Sequence, residues 1–178
     1  MGEGFIKSKA LDDRVGCAIL IEMINSDTEY DLYFSFSTRE EVGSGASAAA
    51  FNIKPDYALV LETTTAADIY PAKGDERVCV CGKGPVISFM DRGTVYDRDM
   101  YKMIFDIAKT NNIPCQPKTR VAGGNNARQI HVSAGGVRTA AISVPCRYIH
   151  SASDMLKFSD VIETSKLVKA VVNKLAND

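Results

Sequence analysis

Residues 57–62, YALVLE, constrain the fold more than any other stretch of this chain. The run follows Pro55-Asp56 and precedes three threonines, so it is too short for a buried helix. It is also too apolar for a strand with one face in water, and it reads as a strand buried on both faces. The other segments fit around such a strand. Residues 13–25, DRVGCAILIEMIN, predict a helix too rich in Ile and Leu to lie on a surface. Residues 29–37, EYDLYFSFS, alternate and predict a strand. A small-residue helix is expected over 43–52, a strand over 85–91, a helix over 98–112 stopped by Asn-Asn before Ile-Pro, and a short extended piece at IPCQPKT. A short Asn-capped helix at 125–133, a strand over 138–145 ended by Pro145, and an amphipathic helix over 159–175 capped by Ser159 complete the reading. Strands alternating with helices predict an α/β fold, a three-layer αβα sandwich on a mixed, mostly parallel sheet.

The chain has 178 residues, enough for one domain with a core that needs no disulfide or structural metal. With 21 basic and 22 acidic residues the net charge is −1, which argues against a nucleic-acid or anionic-membrane surface. No apolar run reaches the ~20 residues of a membrane span. Five scattered cysteines, 17, 79, 81, 115 and 146, read as reduced thiols and place the chain in a cytoplasm. Cys79 and Cys81 could share a face as a metal pair, but a pair of core thiols is the plainer reading.

In open α/β sheets, ligands bind beyond the carboxyl ends of the strands. Glu40 and Glu41 follow the strand ending FSFST; Glu62, with Asp68 nearby, follows YALVL; His150 follows AISV; Asp12 and Asp13 lead into the first helix. Taken singly, an Asp pair caps a helix, a Glu pair is a solvated face, and a loop histidine is polar surface. Together on one edge, the acids repel one another unless a cation joins them. Carboxylate with imidazole suits zinc, manganese or cobalt. Adjacent glutamates in a turn can also divide the work, one as a ligand and one as a general base.

The segments KALDDRVG, STREEVGSGAS, PDYALVLETTTAADI, GKGPVISFMD, GGNNARQIH and ISVPCRYIHS, in this order, resemble the cytosolic tetrahedral, or glutamyl-type, metallo-aminopeptidases, some of which are labelled endoglucanases. The resemblance covers nearly the whole chain. It implies a zinc-exopeptidase-like fold and a dinuclear zinc or cobalt enzyme that removes N-terminal residues from short peptides. By this resemblance Asp12 bridges both metals, and the Asp12–Asp13 peptide bond can be cis. Glu40 is the general base, Glu41 and His150 bind one metal, and Glu62 binds the other, where many relatives have Asp. Asn126 stands where relatives often have Asp, as a supporting residue. The family's earlier His-x-Asp segment and its inserted dimerisation domain have no counterpart here, so the chain reads as the C-terminal part of a catalytic domain. That reading implies one retained metal, weakened activity, and self-association or a companion chain rather than the family's tetrahedral shell. A non-catalytic remnant used for assembly or peptide binding is the alternative. A polysaccharide hydrolase, which would need opposed acids and an aromatic platform, is disfavoured by the absence of Trp.

Overall fold

A computed structural model describes residues 2–28, 30–43 and 45–177. Its organising element is β5 (Arg138–Arg147), which pairs along one edge with β2 (Tyr57–Thr65) in a parallel ladder of nine residue pairs. On the other edge β3 (Val86–Ile87) pairs antiparallel at Ile142–Ser143, and β6 (Asp154–Lys157) pairs at Cys146–Arg147. β1 (Phe5–Ser8) extends the sheet beyond β6, and β4 (Gln116–Pro117) beyond β3. The result is one open, mixed six-stranded sheet whose pairings among the described residues are three antiparallel and two parallel, not the mostly parallel sheet expected.

The alternation of β5 assigns the layers. Ala140, Ile142, Val144 and Cys146 point to one face, against α1 (Leu11–Ile24), α3 (Arg98–Thr110) and α5 (Phe158–Ala176). The core there is Ile87, Ile142, Met100, Ile104, Leu167, Val168 and Val171, all almost wholly buried. Ala141 points to the opposite face with Val60, against Tyr96 and the short α4 (Ala127–Ile130), which packs on α2 (Ala46–Ile53). Since β1 runs antiparallel to β6, and β6 antiparallel to β5, the carboxyl ends of β1, β2 and β5 share one edge of the sheet. No helix among the described residues is long and apolar enough to cross a membrane.

Several sequence expectations need correction. Residues 31–37 form no strand and pair with none among the described residues; Glu29, where that strand was expected to begin, and Ser44, inside the expected small-residue helix, lie outside them. Alternation marks a segment with one side toward the core, and Phe34 does pack there, but it does not supply a strand partner. β2 is not buried on both faces: only Val60, Thr63 and Thr64 are buried, because β5 is its sole strand partner among the described residues. α1 buries only Leu11, Val15, Gly16, Ile19 and Met23, so Ile21 and Ile24 stay about half exposed, at 51% and 49%. The expected 85–91 strand shrinks to two residues plus a Met90–Val95 bridge.

Pro145 does not end β5. It falls in the gap between the stretches paired by β3 and β6, where a missing donor costs no hydrogen bond on that edge. Ser159 is not a cap either, because β6 runs straight into α5 through Lys157. The Asn cap expected at 125–133 does form, through Asn125, whose Oδ1 accepts the Ala127 amide at 2.7 Å. The thiols of Cys79 and Cys81 donate to the Thr65 and Pro145 carbonyls, and burial pushes Cys81 up to about 12.

Candidate metal centre

The first ligand candidate sits where β1 turns into α1. Ala10 is left-handed, at φ 53°, and Asp12 and Asp13 depart from helical φ/ψ across a cis peptide bond. Asp13 turns its carboxylate back to accept the Gly16 amide at 3.0 Å. That fold-back needs glycine, since a Cβ at residue 16 would lie 2.3 Å from Asp13 Oδ2. Gly16→Ala is therefore expected to displace the Asp13 carboxylate and to cost about 1–3 kcal/mol, as overpacking does. A chemical-denaturation midpoint equal to wild type would contradict this.

The second element is the turn 39–43. Arg39 is left-handed, and its carbonyl accepts the Gly43 amide at 2.9 Å, so Glu40 and Glu41 occupy the bend. The third is the β5–β6 turn, which carries His150 at φ 63°. His150 Nε2 lies 3.1 Å from Glu41 Oε1 and 3.4 Å from Asp12 Oδ2. One ligand atom from each of Asp12, Glu41 and His150 lies within 4.8 Å of the others. Two carboxylates and an imidazole converging at this range form a donor set that fits a divalent cation.

Electrostatics agree with an unmet need for positive charge. Burial, with the charge of Glu41, raises Asp12 above the usual carboxylate range. Desolvation also raises Glu40, and Glu41 and Asp12 add to it. Asp13 is pushed up to about 8, first by burial and then by Asp12 and Glu40. Asp12 and Glu41 thus meet at one imidazole, with Glu40 and Asp13 adding like charge behind them, a grouping that a cation would relieve.

Glu62 lies apart from the three-residue cluster, on the sheet floor, and is raised well above its ordinary value by burial. The parallel register sets Glu62 opposite Ser143, whose hydroxyl lies 3.4 Å from Glu62 Oε1. Asn125 Nδ2 donates to the same oxygen at 2.6 Å and to Tyr96 Oη at 2.8 Å. Tyr96 in turn donates to Asp91 at 2.5 Å. Sequence reading missed Asn125, Tyr96 and Asp91, which lie in loops without periodicity and are linked to Glu62 only as a chain through Asn125. Asn126 donates to Ser37 Oγ at 2.8 Å, tying α4 to the segment that leads into Glu40. Asp68 belongs elsewhere, in an ion pair with Arg147, and His131 Nδ1 contacts the Ala127 carbonyl.

Comparison with known proteins follows the same lines. The family model described as M42 glutamyl aminopeptidase matches residues 1–167. A curated protein of Acetivibrio thermocellus is 40% identical over 164 residues, which cover 90% of this chain and 49% of that protein. The lysyl aminopeptidase of Pyrococcus furiosus is 34% identical over 170 residues, covering 93% of this chain and 47% of its own length. A solved TET aminopeptidase from a marine sediment archaeon of the Thaumarchaeota superposes with a TM-score of 0.91 at 32% identity, over 96% of this chain and 50% of that one. The chain spans about half the length of the curated relatives it matches. With the family model matched across most of its residues, the chain belongs to the M42 glutamyl aminopeptidase family.

Proposed function

We propose that this chain carries the metal-binding and base-bearing part of an aminopeptidase that acts on short peptides. The observation that carries the proposal is the convergence of Asp12, Glu41 and His150, with Glu40 in the same turn as Glu41. In this reading Asp12, Glu41 and His150 hold one zinc or cobalt ion, and a second position near Asp12 and Glu62 is weak. The ion supplies Lewis acidity, which polarises a peptide carbonyl and lowers the pKa of water. Glu40 accepts a proton from the attacking water on its carboxylate and returns it to the nitrogen of the leaving amine as the C–N bond breaks. The acidic lining of Asp12, Glu40 and Glu41 favours a substrate that presents an α-ammonium group.

Binding measurements test the assignment. Calorimetric titration with Co²⁺ or Zn²⁺ should give one tight equivalent. Glu41→Ala or His150→Ala should weaken it by at least ~100-fold, since each removes a direct ligand and groups that only orient a ligand already cost roughly 10–100-fold. Two tight equivalents would refute the weak second position, and unchanged affinity in both variants would refute the ligand assignment.

Tyr33, Phe36 and Val42 flank the Glu40–Glu41 turn and are 75%, 47% and 86% exposed. Their exposure supports a covered working state, in which a second copy or a companion polypeptide seats against this segment. A cytoplasmic setting fits five unpaired thiols.

A further inference from the structure

Asp12 is presented by backbone that the helix does not control. Asp12 (φ −83°, ψ 108°) and Asp13 (φ −118°, ψ 47°) lie outside helical geometry, and Ala10, ahead of α1, has no side chain that could cap it. The amide donors here are taken by a residue 143 positions away. Asp154 Oδ2 accepts the Leu11 amide at 2.8 Å and the Asp12 amide at 3.4 Å. Asp154 stands in β6 opposite Ser8 of β1, four residues past His150. The β5–β6 hairpin thus presents His150 directly and reaches the backbone of Asp12 through Asp154.

That arrangement is expensive for a purely structural residue. Asp154 is 2% exposed, and its Oδ1 accepts no hydrogen bond among the described residues. A half-satisfied carboxylate in the core costs more than an apolar residue of the same shape. It also stands close enough to add to the charge felt by Asp12. We infer that Asp154 is a positioning residue, whose grip on the Leu11 and Asp12 amides aims the Asp12 carboxylate at the His150–Glu41 pair. The inference rests on the metal-binding reading above.

The test is Co²⁺ titration of the whole chain by calorimetry, with thermal unfolding of the metal-free protein measured in parallel. Asp154→Val keeps a strand-compatible shape and removes the acceptors; Asp154→Asn keeps one acceptor oxygen. Leu156→Ala, in the same strand and fully buried, serves as a control for lost packing. The expected result is roughly 10–100-fold weaker Co²⁺ binding in Asp154→Val, the range seen when groups that orient metal ligands are removed. Asp154→Asn should stay close to wild type, and Leu156→Ala should lose Tm while keeping its Kd. Asp154→Ala, which also removes both acceptors, takes the place of the valine variant if that variant does not fold. A wild-type Kd in the acceptor-free variant overturns this inference alone, as does a control that loses affinity to the same extent. Wild-type protein that takes up no Co²⁺ overturns the metal-binding reading and this inference with it.

Discussion

Replacing Glu40 with glutamine is expected to lower turnover of aminoacyl-nitroanilides by the metal-supplemented protein about 10²–10⁴-fold, the usual contribution of a positioned general base. Glutamine keeps the shape of the side chain and its place in the 39–43 turn, but it cannot accept the proton of water. The change should fall on kcat, because Glu40 lies outside the ligand cluster of Asp12, Glu41 and His150. Metal uptake should hold or rise slightly, since one of the carboxylates that repel Asp12 loses its charge. Activity within a few-fold of the parent would remove Glu40 from the base role. Loss of metal binding together with activity would instead make it a ligand.

The largest expected loss of stability comes from Arg147→Met. Arg147 binds Asp68 with two parallel contacts, Nε to Oδ1 at 2.7 Å and Nη2 to Oδ2 at 2.9 Å. The Asp68 side chain is 1% exposed, and its Oδ2 also accepts the Cys81 amide at 3.0 Å. Burial alone would raise Asp68, but the Arg147 contacts and the Cys81 amide outweigh it and hold the group below its ordinary value. Methionine would strand a buried carboxylate, at a cost of about 3–5 kcal/mol. The sign of the pH dependence follows. A depressed pKa in the folded state gives stability that is present above the unfolded value of about 3.9 and lost as pH falls through the lower, folded value. In the variant the unpaired Asp68 gains a proton more readily, so acidification relieves it. The stability gap between the two proteins should therefore narrow between neutral pH and pH ~3. Urea midpoints at the two pH values measure it, and a gap that widens on acidification would contradict the account.

The sequence was most informative where one stretch of chain suffices. α3 follows its apolar spacing and stops at Asn111, with Asn112 left-handed at φ 55°. β2 and β5 carry the apolar runs that define the sheet. Of Asp12, Glu41 and His150, only His150 follows a strand that the sequence marked, β5; Asp12 was read as leading into α1, and Glu41 as following an alternating segment that pairs with no strand among the described residues. What stayed hidden depends on partners far along the chain. β1 and β6, with four residues each, are too short and too charged to stand out, and they exist because they pair with each other and with β5. Residues 31–37 show the reverse case, a clear alternation without a strand partner among the described residues. Asn125, Tyr96 and Asp154 carry no local signature, since their roles come from contacts with Glu62 and with the backbone of Leu11 and Asp12.

The central claim is that Asp12, Glu41 and His150 together hold a divalent ion. Anomalous scattering from crystals grown with saturating Co²⁺ or Zn²⁺ tests it most directly. The account predicts a peak within ligand distance of all three side chains, at about 2.0–2.2 Å from carboxylate oxygen and imidazole nitrogen. A metal-saturated crystal with no peak there, or with its ion bound elsewhere while His150 stays against Glu41, would contradict it.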